Sequence, residues 1–218
     1  MYIAVSSRKI AALVVFGLFA SAADAQIPGL GKLLGGSKDE KATSSATAPS
    51  ADQLEKDLTS VVVNTSKALS ALNEALGLKA EADEAAKNAE CAEKGTCGVD
   101  DSIGVIQKSA ANLKSVAEAR QAEGKKLDAK AGASAASALE PGIKTIPNWI
   151  AVKNGVQALS GDKTAMIKAR GLMKSAPKVP GALTGTVSMI NATISYLGFS
   201  GVDTKSLKSS MSAATADL

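Results

Sequence analysis

The sequence predicts an all-α fold, and three observations carry that reading. Apolar residues recur at helical spacing from residue 51 onward. Alanine is the commonest residue while aromatics make up only 3% of the chain, a composition suited to a core of small and aliphatic side chains. Helix-start signals also stand where the apolar faces begin. The expected architecture is a helical bundle built on one long antiparallel helical hairpin with a disulfide-closed tip. Three or four shorter C-terminal helices complete it.

At the N-terminus, "MYIAVSSRKIAALVVFGLFASAADAQ" places Arg8 and Lys9 before an uncharged run, then small residues spaced as Ala23-Asp24-Ala25. That layout predicts a secretory signal peptide over residues 1–25, cleaved between Ala25 and Gln26. Its strongly apolar part, Ile10 to Ala20, falls short of the ~20 residues that span a bilayer. The expected location is therefore periplasmic or secreted. Removing Arg8, Lys9 and Asp24 lowers the formal charge from +4 to about +3, too mild a balance to imply a polyanionic partner.

Residues 26–50 are dominated by Gly, Ser, Thr, Ala and Pro and read as a flexible leader. The helical bundle domain follows over 51–218. Ser50 and Gln53 form a capping box, and Leu54, Leu58, Val61, Thr65, Ala68, Leu72 and Ala75 then step by fours and threes. This first arm is expected to run past Gly77 through an alanine-rich stretch to Glu93. A second face, Ile103, Ile106, Ala110, Leu113 and Ala117, continues more weakly through Leu127, Ala131 and Ala135 to Leu139. Two arms of about 35 to 40 residues would each be ~55 Å long. Gly124 and Gly132 each weaken a helix by roughly 1 kcal/mol, so one of them is expected to mark a break.

Cys91 and Cys97 are the only cysteines, and an exported chain meets an oxidising compartment. They are expected to bond to each other. Six helical steps would hold their Cα atoms about 9 Å apart, beyond the ~7 Å limit for a bridge, so the helix has to end between them. Gly95 and Gly98 supply residues able to take positive φ there. Closing so short a ring contributes about 2 kcal/mol. Redox dithiols usually have two residues between cysteines beside a βαβ pattern, and neither feature is present.

There is no histidine, which removes every Ser-His-Asp and Cys-His relay and the commonest zinc ligand. Glu81, Asp83, Glu84, Glu90 and Glu93 are interleaved with Lys79, Lys87 and Lys94, the pattern of a solvated helix face. Asp100 and Asp101 stand where the second arm begins and suit a helix N-terminus. No catalytic, cofactor-binding or metal-ligating set emerges. The lysines are spread without aromatic interleaving, which argues against nucleic-acid binding.

"LEPGIKTIPNW" is expected to end the second arm at Pro141 and to open a short helix at Pro147, with Trp149 packed at a helix junction. Asp162 is placed to cap a further helix carrying Met166, Ile167 and Leu172, closed by Pro177 and Pro180. Residues 179–202 contain no charge, and Leu183, Val187, Ile190, Ile194 and Leu197 form one face among Thr, Ser, Asn and Gly. A central bundle helix is the favoured reading, and insertion into a bilayer is the alternative. Asp203 then caps a last amphipathic helix through Leu207 and Met211. The function expected from this pattern is a non-enzymatic envelope protein that binds a protein partner or serves as a structural module.

Overall fold

The computed structural model describes residues 50–160 and 170–218. The expected signal peptide, the cleavage site Ala25–Gln26, the leader up to residue 49 and the cap at Asp162 lie outside the described residues. Every regular element among the described residues is helical.

Helix α1 spans Ala51–Ala75, and Ser50 caps it by accepting from the Gln53 backbone N–H at 3.2 Å. Leu54, Leu58, Val61, Leu69 and Leu72 are buried along it. The helix does not continue to Glu93 as the alanine-rich sequence suggests. Gly77 takes φ +76°, the Gly77 N–H bonds to the Glu74 carbonyl at 2.9 Å and the Leu78 N–H to the Asn73 carbonyl at 2.8 Å. This pair of bonds satisfies helix-end carbonyls and reverses the chain. Helix α2, Lys79–Glu93, therefore runs back along α1, with Asn88 bonded to Ser66 and Lys67 paired to Glu93.

The Cys91–Cys97 disulfide closes the next turn with the Cα atoms 5.5 Å apart. Gly95 adopts φ +65° as its position requires, whereas Gly98 stays extended as the residue preceding α3, Val99–Ala122. Ile103, Ile106, Ala110, Leu113 and Ala117 are all buried, as their spacing predicts. Of the two glycines, one of which is expected to break the second arm, Gly124 does so, with φ +70° and a Lys125 N–H bond to the Arg120 carbonyl. Gly132 instead sits inside α4, Ala129–Ser160, where an added Cβ would lie 2.7 Å from Val202 Cγ2. Its role is close approach, not chain reversal.

Both expected arms are thus interrupted, and the long hairpin with ~55 Å arms is replaced by shorter antiparallel pairs. The opposite correction holds at Pro141 and Pro147. Neither stops the helix: α4 runs through both for 32 residues. Each proline leaves one carbonyl of the preceding turn without its usual donor. Burial of Leu139, Ile143, Ile146, Trp149 and Val152 against neighbouring helices outweighs that loss.

After the segment 161–169, α5 (Arg170–Ser175) and a 3₁₀ turn (Ala176–Lys178) lead into α6, Val179–Phe199. Pro180, expected to close a helix, lies in the first turn of α6, where a missing N–H costs nothing. A turn with Gly201 at φ +90° leads to α7, Lys205–Ala214, which buries Leu207 and Met211 and whose Lys205 N–H bonds Asp203 Oδ1 at 3.0 Å.

Packing follows from these reversals. α1 lies against α2, α3 and α4, while α6 lies against α3 and α4. Ser66–Asn88–Ser102 and Asn73–Ser109 set α1 and α3 parallel, with α2 antiparallel across them. The Trp149–Thr65 bond and the approach of Gly142 to Ala68 set α4 antiparallel to α1. Lys178 near Asp100 and Leu127 bonded to Ser200 set α6 parallel to α3. Helices α1, α3, α4 and α6 supply most of the core; α2, seated on α1 and α3, adds only Ala85 and Ala92 to it, and α7, seated on α4, adds Leu207 and Met211. No described helix is long and apolar enough to cross a membrane.

Candidate functional site

The sequence singled out one covalent feature, and the structure brings its two residues together at the α2–α3 turn. Cys91 and Cys97 are both half-buried, and neighbouring hydroxyls surround the sulfurs. Thr96 Oγ1 lies 3.4 Å from Cys91 Sγ, and Ser102 Oγ lies 3.2 Å from Cys97 Sγ. Behind the bridge, the side-chain amide of Asn88 donates to Ser66 Oγ at 2.9 Å and to the Ser102 carbonyl at 3.1 Å. One amide therefore ties α2 to both α1 and α3.

A second polar contact lies one heptad away, where Asn73 Nδ2 donates to Ser109 Oγ at 3.2 Å. Asn73 Oδ1 is buried without a hydrogen-bond partner, as is Thr186 Oγ1 on α6. Unsatisfied acceptors of this kind are uncommon, because each forfeits its bond to water. The sequence reading passed over Ser66, Asn73, Asn88, Ser102 and Ser109. A signal was present in the matched spacing of seven, Ser66 to Asn73 on one helix and Ser102 to Ser109 on the other, beside each apolar face.

The acidic residues of α2 behave as a solvated face. Glu84 pairs with Lys108, Glu93 with Lys67 and Glu90 with Lys94, and all six side chains are largely exposed. A hydrogen bond from Lys94, reinforced by its charge, holds the Glu90 carboxyl below the ordinary carboxylate value, and the same contact raises Lys94. Lys125 lowers Glu123 in the same way. Asp100 and Asp101 occupy the first turn of α3 as expected, and their carboxylates curl over Gly98 so closely that a Cβ there would lie 2.8 Å from Asp100 Oδ1.

Two concavities lie among the described residues. A groove of ≈ 330 Å³ runs between α1 and α2, floored by Ala71, Ala86 and Ala89 and edged by Lys67, Glu74, Glu90 and Glu93. A smaller apolar cleft of ≈ 60 Å³ lies between Leu54, Val156, Leu159, Leu172 and Met173. Among the described residues no group of three or more His, Cys, Asp or Glu is placed to hold a metal ion. Trp149 is fully buried and reaches neither concavity. Compared with known proteins, the chain matches no family model, no curated protein and no solved structure.

Proposed function

We propose that the protein is a non-enzymatic, exported helical-bundle protein that acts as a binding or structural module of the cell envelope. One observation carries this reading. Among the residues whose side chains are described, the buried polar groups are hydroxyls and amides, those of Thr65, Ser66, Asn73 and Asn88 joining one helix to another, and no Asp, Glu, Lys or Arg is buried. Catalytic acids and bases are usually tuned by burial or by crowding of charge, and here the shifted carboxyls are exposed members of surface ion pairs. The disulfide agrees with life in an oxidising compartment.

The competing reading, bilayer insertion of residues 179–202, draws support from the lack of charge in that stretch. Insertion would require α6 to withdraw Leu183, Ile190, Ile194 and Leu197 from the core it shares with α3 and α4. The partner is accordingly expected to be a protein docked on the folded bundle, with no nucleic acid involved.

Cell fractionation with N-terminal sequencing of the mature chain, combined with photo-crosslinking from exposed Glu140 and Lys144 in living cells, tests the proposal. An exported chain beginning at Gln26 and one reproducible crosslinked protein are expected. Retention in the cytosol, or leakage of dye-loaded anionic liposomes abolished by Ile190→Asp in a folded protein, would count decisively against it.

A further inference from the structure

We propose that α2 is a redox-released latch: reduction of Cys91–Cys97 frees Lys79–Glu93 from the α1/α3 seam while the core of α1, α3, α4 and α6 stays folded. Four observations lead to it. The residues that α2 buries are Ala82, Ala85, Asn88, Ala89 and Ala92, with no Leu, Ile, Val or Phe among them. Its packing partners are α1 and α3, and the four core helices keep their mutual contacts without it. Alanine removes little apolar surface from water, so this helix is weakly held compared with α4 or α6.

The seam beneath α2 is also polar. Ser66 and Ser102 lie opposite Asn88, and Asn73 and Ser109 lie at the level of Glu84, whose carboxylate reaches Lys108 on α3. Lifting α2 would expose hydroxyls and amides that bond readily to water. Asn73 Oδ1, buried and unpartnered in the closed form, would gain a bond on hydration. The ion pairs that reach α2, Lys67–Glu93 and Lys108–Glu84, are exposed and contribute little restraint.

The strong restraint left is covalent, and it meets the polar contacts directly. Cys97 Sγ touches Ser102 Oγ, the Ser102 carbonyl accepts from Asn88, and Asn88 holds Ser66. A dithiol reductant supplies the chemistry. Its thiolate attacks one sulfur of the bridge and expels the other as a thiolate, and its second thiol then resolves the mixed disulfide. Two electrons and two protons pass to Cys91 and Cys97, and the reductant leaves as a cyclic disulfide. Without the bridge, the segment from Cys91 to Cys97 regains the freedom that loop closure had removed, and α2 frays from its C-terminal end.

Helix-resolved hydrogen exchange on the full chain tests this, comparing the oxidised protein, the protein reduced with dithiothreitol, and the Cys91→Ser/Cys97→Ser variant. Reduction is expected to speed exchange over residues 79–93 by roughly 30-fold, the chain-entropy value for so short a loop. In the reduced protein these amides should exchange at least about tenfold ahead of those in α4 and α6, the signature of a separate opening unit. Exchange in step with α4 and α6, or no change on reduction, overturns the proposal. Should the double variant fail to fold, the reduced wild type and its reoxidised form still decide, because reoxidation must restore the original protection of α2.

Discussion

Trp149 Nε1 donates a 2.9 Å hydrogen bond to Thr65 Oγ1, joining the middle of α4 to the middle of α1 inside the core. Both residues are almost fully buried, and Trp149 stands two positions beyond Pro147. The bond satisfies the one polar atom of the largest buried side chain, at the point where α4 is weakened by its proline. Thr65→Val keeps the shape of the side chain and removes only the acceptor. Destabilisation by about 1–3 kcal/mol is expected, the cost of leaving a buried donor unpaired. Chemical denaturation followed through the fluorescence of this single tryptophan measures it directly.

Opposite signs are expected from the same substitution at two glycines. Gly77 has φ +76° with open space around a would-be Cβ, so Gly77→Ala meets no clash and is disfavoured by backbone alone. A loss of about 1–2 kcal/mol is expected. Gly104 lies inside α3 at ordinary helical φ, also with open space. There Gly104→Ala should stabilise by about 0.5–1 kcal/mol through helix propensity and a less flexible unfolded chain. Thermal melts of the two variants that shift in the same direction would contradict the assigned turn.

Ile190 on α6 is completely buried, and its Cδ1 would lie 3.7 Å from a Cβ built on Gly142 of α4. Ile190→Ala should cost about 2–5 kcal/mol, the range for removing a large aliphatic group from a close-packed core. Met173, about half exposed at 48%, provides the control: Met173→Ala should change stability by less than about 0.5 kcal/mol.

The end of α2 should also respond to pH. The hydrogen bond and charge of Lys94 lower Glu90 from its ordinary value of 4.5, so the pair's contribution is full above that value and disappears as acid protonates the carboxylate. Lys94 is raised from 10.5, so its share is present below that value and is lost once alkali neutralises the amine. Hydrogen exchange at residues 90–94 in the oxidised protein should therefore show its greatest protection, after correction for intrinsic rates, between these limits. Protection that is flat from pH 3 to 7 would deny the pair any role.

Local chemistry was readable wherever a residue's effect does not depend on distant neighbours. The apolar face of α3 from Ile103 to Ala117, the Ser50 cap and the need for a helix end between Cys91 and Cys97 follow from helical period, hydrogen-bond valence and bond geometry. The polar seam was less visible, because a serine or asparagine beside an apolar face is equally at home in water until a second helix covers it. Asn88 acquires its meaning only from Ser66 and Ser102, which lie 22 and 14 residues away.

By itself the sequence determined that this chain is helical, that its two cysteines meet across a turn and which faces turn inward, since periodicity and covalent reach are properties of a short window. Tertiary structure decided where the helices stop. Gly77 and Gly124 reverse the chain while Gly132, Pro141 and Pro147 do not, because the left-handed turn at Gly77 lays α2 back along α1, whereas burial of Ile143, Ile146 and Trp149 in the core outweighs the bonds that the prolines lose.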